Sequence, residues 1–204
     1  MIQKIVLILI FTISCSFALA DNHQLLSKKA EFNKAVKYIE QQEFSEALGI
    51  FKSLATEGLP EAQFNLSLLY FNGVGAPTSY RLALYWSWYA FLNQHENATD
   101  RVNTIKSEIT ENLQNTVAQT IIDELLIQAN QGNELAPLKL GQTYLRLFVQ
   151  PSYKEAYLWL SIAQAYGDVA ASELLSEATG QLTLEEVLVQ QDLAQSTFQN
   201  ILSN

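Results

Sequence analysis

The stretch Gly58-Leu-Pro-Glu-Ala62-Gln-Phe-Asn-Leu66-Ser-Leu-Leu-Tyr70 decides the fold, because its opening punctuation recurs along the chain. The pattern occurs four times, at Gly58/Ala62, Gln94/Ala98, Gly132/Ala136 and Gly167/Ala171. The alanines are spaced by 36, 38 and 35 residues, and a period in this range is typical of helical solenoids. Gly favours the left-handed conformation that ends a helix, and Ala lets the next helix pack closely.

Apolar side chains at helical spacing between these punctuation points predict five helix pairs. Their expected bounds are about 24–42 with 44–57, 60–72 with 79–93, 97–112 with 116–130, 134–147 with 152–166, and 168–178 with 183–202. The four prolines all lie at or near proposed helix starts or turns. The sequence therefore predicts an all-α right-handed solenoid of about five antiparallel helix pairs, forming a single domain over residues 21–204.

Three of the expected helix starts carry a possible capping box, a Ser or Thr followed three residues later by Glu or Gln. These are Ser152 with Glu155, Thr183 with Glu186, and Thr116 with Gln119. Their hydroxyl and carboxylate or amide groups are expected to satisfy the free backbone N–H groups of the first turn.

A longer duplication relates the second and fourth pairs. Ala62…Leu66…Tyr70 matches Ala136…Leu140…Tyr144 at an offset of 74, and Tyr80…Ala83…Trp86…Ala90 matches Tyr153…Ala156…Trp159…Ala163 at an offset of 73. The slip of a single residue falls in the loop between the two helices, where such changes cost little.

These duplicated residues resemble the Sel-one-like repeat, a relative of the tetratricopeptide repeat. The matching motif is Ala62-x-x-x-Leu66-x-x-x-Tyr70-x-x-Gly73-Val-Gly75, followed by Ala83-x-x-Trp86-x-x-x-Ala90. The resemblance covers about 60–171, and the fourth repeat departs from it in the loop at 146–150. The resemblance implies an α-solenoid that acts as a scaffold or adaptor, and it implies no catalytic residues.

The first twenty residues have the pattern of a signal peptide. Lys4 precedes the apolar run Ile5 to Ile13, and Ala18-Leu19-Ala20 has the small-x-small pattern of a cleavage site. We expect cleavage after Ala20 and a periplasmic or secreted protein. Two alternatives remain open, a retained anchor helix and a lipid on Cys15.

Composition limits the classes of partner. The full chain has a net charge of −9, and removal of Lys4 with the signal peptide makes it −10. Nucleic acids and anionic membranes bind clusters of Lys and Arg, so neither is an expected partner. Cys15 is the only cysteine, which leaves the mature chain without a disulfide or a thiol nucleophile.

Residues with catalytic or metal-binding chemistry do not form a recognisable motif, and no enzyme activity, cofactor or metal is predicted. His23 and His95 lack partners at ligand spacing, and Gly73-Val-Gly75 lies between helices, where it indicates a turn with positive φ rather than a phosphate loop. Six carboxylates are expected on solvated helix faces: Glu108, Glu111, Asp123, Glu124, Glu185 and Glu186.

The aromatic run of the second pair supplies the candidate partner-binding residues Trp88, Tyr85 and Tyr89. Trp86 lies on the stripe of Ala83 and Ala90, and its counterpart is Trp159, so Trp86 is expected in the core. Trp88 lies off this stripe, and its counterpart is Ser161. Both a core position and a partner contact remain possible for Trp88.

We therefore expect an exported scaffold or adaptor that binds a protein or a peptide, and an acidic groove that favours basic or extended partners. Two other classes of function remain open. One is an accessory factor in envelope or glycan processing with a site between repeats, and the other is a structural homo-oligomer.

Overall fold

The computed structural model describes residues 25–203, and every regular element within that range is a helix. The ten helices are α1 (25–40), α2 (Phe44–Thr56), α3 (Pro60–Asn72), α4 (Tyr80–Leu92), α5 (Ala98–Ser107), α6 (Glu111–Asn130), α7 (Ala136–Arg146), α8 (Tyr153–Ala165), α9 (Ala171–Thr179) and α10 (Leu184–Ser203). The predicted signal peptide, residues 1–20, lies outside the described residues.

The helices pack mainly against their neighbours in the chain, as expected of a helical-repeat protein. Helix α3 packs between α2 and α4, and α4 also contacts α5 and α6. Helix α7 packs between α6 and α8, while α8 also contacts α9 and α10. At the N-terminal end, Phe32 of α1 meets Phe51 of α2 edge-on, with ring centroids 5.4 Å apart. The all-α solenoid of five helix pairs is therefore confirmed.

The turns after α2, α4, α6 and α8 share one backbone geometry. Gly58, Gly132 and Gly167 have φ values of 86°, 81° and 87°, and Gln94 adopts φ 65° despite its side chain. The N–H of Gly58 donates to the carbonyl of Ala55, and the next N–H donates to the carbonyl five residues back. This is the Schellman arrangement that ends a helix. The four alanines that follow are fully buried: Ala62, Ala98, Ala136 and Ala171.

The boundary inside the third pair differs from the prediction. Helix α5 ends at Ser107 rather than near residue 112, and α6 begins at Glu111 rather than near residue 116. Thr110 is the N-cap of α6, and its Oγ1 accepts the N–H of Leu113 at 3.3 Å. Thr116 lies inside the helix, where its hydroxyl donates to the carbonyl of Asn112 at 2.7 Å. The predicted capping box at Thr116 is therefore wrong.

The other two predicted boxes have different outcomes. At α10, the N–H of Thr183 donates to Glu186 Oε2 at 2.9 Å, and the N–H of Glu186 donates to Thr183 Oγ1 at 3.3 Å, which is a complete capping box. At α8, the hydroxyl of Ser152 donates to the carboxylate of Glu155 and accepts no backbone N–H. Only the Thr183 box is therefore confirmed in full.

The core follows the duplication. The paired positions Ala62 and Ala136, Leu66 and Leu140, Ala83 and Ala156, and Ala90 and Ala163 have no exposed surface. The motif residues thus pack the helices together. Side chains available for binding must be sought outside these fully buried positions.

Candidate functional site

A groove, here called the α4 groove, lies between the end of α2, the exposed side of α4 and the middle of α6. It has two adjoining basins. The Lys139 basin has a volume of about 480 Å³ and extends to α7, and the Arg81 basin has a volume of about 360 Å³. Tyr85, Trp86 and Glu124 line both basins. The α4 groove is therefore continuous past these three residues.

Tyr85 and Tyr89 form one wall of the groove. They are four residues apart in α4 and so share a helix face, with ring centroids 5.0 Å apart. Both hydroxyls donate to the same oxygen of Glu124, Oε2, at 2.7 Å. Burial raises the pKa of each tyrosine far above its usual value, and the hydrogen bond to the Glu124 carboxylate raises it further. Both tyrosines therefore remain protonated donors at neutral pH, with their rings held in place.

Glu124 itself departs from the expectation of a solvated carboxylate. It is half-buried on α6, and its position is fixed by the two tyrosine hydroxyls. The other five carboxylates of the set fit that expectation better: Glu108, Glu111, Asp123 and Glu185 are exposed, and Glu186, half-buried, caps α10. Glu124 is the member of the set that belongs to the candidate site.

Trp86 is only partly a core residue. It packs against the main hydrophobic core but remains half-buried, and its ring meets that of Tyr85 at 5.0 Å and nearly at right angles. The side of the indole away from the core lines both basins. The expectation that Trp86 is a core residue is therefore met only in part, whereas its counterpart Trp159 is buried as expected, with 7% of its surface exposed.

Trp88 is a core residue, and the expectation of a partner contact is not supported for it. Its surface is only 2% exposed, and its ring stacks on Phe91 with centroids 4.6 Å apart. The indole Nε1 donates to Thr143 Oγ1 of α7 at 3.0 Å. Trp88 thus joins α4 to α7 from inside the stack. Of the three predicted partner-binding residues, Tyr85 and Tyr89 line the α4 groove and Trp88 does not.

A chain of hydrogen bonds crosses the floor of the Lys139 basin. Lys139 Nζ donates to Asn93 Oδ1 at 2.7 Å, and Asn93 Nδ2 donates to Gln63 Oε1 at 2.9 Å. Gln63 Nε2 then donates to the carbonyl of Ala55 at 3.0 Å. Burial lowers the pKa of Lys139. Within residues 25–203, Lys139 forms no salt bridge, so no carboxylate of the described chain lies within salt-bridge distance of its ammonium.

The charges of the groove differ from those of the whole chain. Lys139, Lys52 and Arg81 line it together with two carboxylates, Glu57 and Glu124. The Glu57 carboxylate lies 3.3 Å from the ammonium of Lys28, and Glu124 accepts the two tyrosine hydroxyls. The expectation of an acidic groove is not met here, because three cationic side chains and two carboxylates line the α4 groove.

The histidines and the glycine loop singled out in the sequence show no sign of a catalytic or metal site within residues 25–203. His95 is half-buried and stacks on Phe64, with ring centroids 4.2 Å apart, so it is not simply a solvated loop residue. Gly73 and Gly75 have φ values of 68° and 75°, as expected for a turn. Residues 25–203 contain no group of three His, Cys, Asp or Glu side chains placed to hold a metal ion. His23 lies outside the described residues.

Sequence reasoning missed Lys139 and the linking role of Glu124. A signal for Lys139 was present, since the duplication aligns it with Asn65, and a repeat that tolerates Asn there does not need Lys for packing. No comparable signal existed for Glu124, because its tyrosine partners lie 39 and 35 residues away in the chain.

Comparison with known proteins gives matches among solved structures alone. No protein-family model matches the sequence, and no curated protein matches it. One similar structure is a protective antigen of uropathogenic Escherichia coli that displays an SLR fold, with 20% identity and a TM-score of 0.39. Another is a Sel1 repeat protein from Oxalobacter formigenes, with 19% identity and a TM-score of 0.30.

The extent of these matches differs between the two structures. The first match covers 85% of this chain but 30% of the E. coli antigen, and the second covers 83% of this chain and 87% of the O. formigenes protein. Both are Sel1 repeat proteins, and the chain resembles that family. Both TM-scores are low, so the two structures assign no role to the residues of the α4 groove.

Proposed function

We propose that the chain is an exported scaffold or adaptor that binds an extended peptide segment of a partner protein in the α4 groove. The observation that carries this proposal is the wall of Tyr85, Trp86 and Tyr89, which is open to the groove and whose two tyrosine hydroxyls donate to Glu124. Aromatic side chains that are already fixed lose little conformational entropy on binding, and Trp and Tyr are enriched at interface hot spots.

The shape and the polar groups of the groove also suit a peptide. Two adjoining basins that share one aromatic wall can accept successive side chains of an extended segment. The half-buried amides of Asn93 and Gln128 line the Lys139 basin, and side-chain amides can both donate to and accept from a peptide backbone. The fully buried alanines of the repeat motif offer no such contacts, so we assign binding to the aromatic and polar side chains that line the groove.

Export forms the second part of the proposal and rests on the sequence pattern of residues 1–20. No helix among residues 25–203 is both long enough and apolar enough to cross a membrane. Expression in a bacterial host followed by N-terminal sequencing of the mature protein tests this part. We expect the mature chain to begin at Asp21. Retention of Met1, or a lipid on Cys15, would contradict the proposed cleavage.

The binding part can be tested with a display library of random peptides, selected on the intact mature chain. Selected peptides are resynthesised with a photoreactive group, cross-linked, and mapped by mass spectrometry. We expect cross-links to the peptides containing Tyr85, Trp86 and Tyr89. Cross-links that map consistently to another surface, or a failure to select any peptide, would contradict the proposal.

A pair of variants on α4 sharpens this test. Trp86→Ala removes a groove side chain, and we expect the affinity for a selected peptide to fall about tenfold or more. Tyr80→Ala removes an aromatic ring from the same helix, but Tyr80 packs against Phe71 and does not line either basin. We expect Tyr80→Ala to retain the wild-type affinity.

A further inference from the structure

We infer that the α4 groove selects an acidic ligand, a peptide segment whose carboxylates pair with Lys139 in one basin and with Lys52 and Arg81 in the other. This inference rests on the proposed function and names the class of peptide that the same site binds. It runs against the net charge of −9, which by itself favours basic partners.

Lys139 carries the first step of the argument. An ammonium group has three N–H donors, and the hydrogen bond to Asn93 Oδ1 uses one of them. The side chain is half-buried and lines the Lys139 basin. A partly desolvated cation without a counter-charge is costly, and a carboxylate in the basin would supply both the charge and the missing acceptors. The Asn93–Gln63–Ala55 chain fixes the position of the ammonium from behind.

The Arg81 basin is also lined by cationic side chains, Lys52 and Arg81. Lys52 and Arg81 are exposed and form no salt bridge within the described part of the chain. The nearest groove carboxylate, Glu124, already accepts two tyrosine hydroxyls at 2.7 Å. Glu124 is thus held by the tyrosines, while the side chains of Lys52 and Arg81 form no salt bridge within residues 25–203.

The arrangement of the groove favours a peptide over a polyanion such as polyphosphate. The cations lie in two basins separated by Tyr85 and Trp86, so a matching ligand alternates anionic groups with apolar ones. A peptide of alternating acidic and apolar side chains has this pattern. A uniformly charged polymer lacks the apolar groups that would pack against Tyr85 and Trp86.

Fluorescence anisotropy with defined peptides tests the inference on the intact mature chain. The probe is a labelled, N-acetylated and C-amidated peptide of alternating glutamate and leucine, and the comparison peptides replace glutamate with glutamine or with lysine. A glutamine–leucine peptide with a free C-terminal carboxylate distinguishes side-chain carboxylates from a terminal one. We expect the glutamate peptide to bind about tenfold or more tightly than the amidated glutamine peptide, since hydrogen bonds to charged groups are the stronger ones.

Lys139→Met supplies the matched variant, because it removes the charge and keeps an unbranched apolar stem. We expect it to weaken the glutamate peptide about tenfold and the amidated glutamine peptide by much less, since hydrogen bonds to charged groups are the stronger ones. Lys37→Met is the control, since Lys37 is exposed on α1, outside the groove, and its loss changes the net charge equally. If Lys139→Met does not fold, the double variant Lys52→Gln, Arg81→Gln tests the other basin, where neither side chain makes a hydrogen bond within residues 25–203.

The outcomes separate the inference from the proposed function. Equal affinity for the glutamate and glutamine peptides, or equal weakening by Lys37→Met and Lys139→Met, would overturn the acidic preference while peptide binding stands. Polyphosphate that competes as strongly as the glutamate peptide would also overturn it. Peptides selected from the random library that bind at another surface would contradict the proposed function itself.

Discussion

Helices α4 and α8 are duplicated copies at an offset of 73, yet one face of α4 lines a groove and the matching face of α8 is more deeply buried. Ala83 and Ala90 of α4 are fully buried, and so are their counterparts in α8. The difference lies in the side chains between the alanines. Tyr85 and Tyr89 of α4 are half-buried groove residues, whereas Ile162, the counterpart of Tyr89, is 1% exposed.

Neighbouring helices explain the difference. In α8, Trp159 and Ile162 share a core cluster with Ala194 and Ile201 of α10, so the last helix covers this face. In α4, the corresponding face meets α6 only in part and leaves the α4 groove open. The comparison teaches that the alanine positions hold the pair together, while the residues between them are free to change with the cover that the next helix provides.

Trp88→Ser makes α4 copy Ser161 of α8, and it is expected to have the largest effect. The variant removes a buried indole and its hydrogen bond to Thr143, so we expect a loss of about 3–5 kcal/mol in the free energy of unfolding. Urea denaturation measures this loss. A change below about 1 kcal/mol would show that the buried position of Trp88 contributes little.

Trp159→Ala and Trp86→Ala compare the same repeat position in the two copies. Trp159 is 7% exposed, and its truncation should cost about 3 kcal/mol. Trp86 is half-buried, so the same change should cost less, because part of the new space opens to the α4 groove. Urea denaturation of both variants gives the comparison. Equal losses would mean that the groove side of Trp86 is covered in solution.

A coupled exchange distinguishes the α3–α4 contact from the α7–α8 contact. A Cβ built on Gly141 would lie 2.4 Å from Leu160 Cγ, whereas the corresponding residues of the other copy are Ser67 and Ser87, both fully buried. Gly141→Ser alone should therefore destabilise by about 1–3 kcal/mol through overpacking. Adding Leu160→Ser should cost less than the sum of the single changes, as measured by a double-mutant cycle. Strict additivity would mean that these two side chains do not share the space.

The positions that define the fold could be predicted because they obey one rule in every repeat. The left-handed turn occurs at Gln94 as well as at the glycines. The repeat period therefore predicted this turn at a position where the residue type alone did not. The start of α6 could not be predicted from the sequence, because Thr110 and Thr116 can each act as an N-cap. The choice depends on whether the apolar face of the helix begins at Leu113 or at Val117.

The candidate site was predictable only in part. Tyr85 and Tyr89 share a helix face by their spacing, but spacing could not show which face the next helix covers. For this reason the groove side of Trp86 was not expected, and the choice between the two roles left open for Trp88 could not be made. The partners of the tyrosines and of Lys139 lie on other repeats, so their contacts depend on how the helices stack.

The ends of α4 and α8 provide a smaller test. Gln94 and Gly167 occupy equivalent left-handed positions, with φ values of 65° and 87°. A Cβ added at Gly167 or at Gly132 would meet nothing within 4 Å, so the cost of substitution is conformational. Gly167→Val should destabilise by about 1 kcal/mol or more, and by more than Gly132→Ala, because a β-branched residue resists positive φ most. Thermal midpoints equal to that of the wild type would contradict this account.

The smallest expected effect concerns pH, and it separates the tyrosines of α4 from the apolar residues of α8. Burial and the Glu124 carboxylate raise the pKa of Tyr85 and Tyr89 in the folded chain, whereas unfolded tyrosines ionise near a pKa of about 10. Below that pH both states are protonated and the stabilisation is fully present. As the pH rises further, the unfolded chain releases protons that the folded chain retains, so the free energy of unfolding falls.

The double variant Tyr85→Phe, Tyr89→Phe should reduce this alkaline loss of stability by well under about 1 kcal/mol per pH unit, because solvent screens half-exposed groups. It should not abolish the loss, since burial also raises the pKa of Tyr144. Urea denaturation at about pH 8 and about pH 11 measures the effect, with Tyr80→Phe as the control outside the groove. If the double variant loses as much stability as the wild type between these pH values, the two hydroxyls are not held by Glu124 in the folded chain, and the aromatic wall lacks the support on which the binding proposal depends.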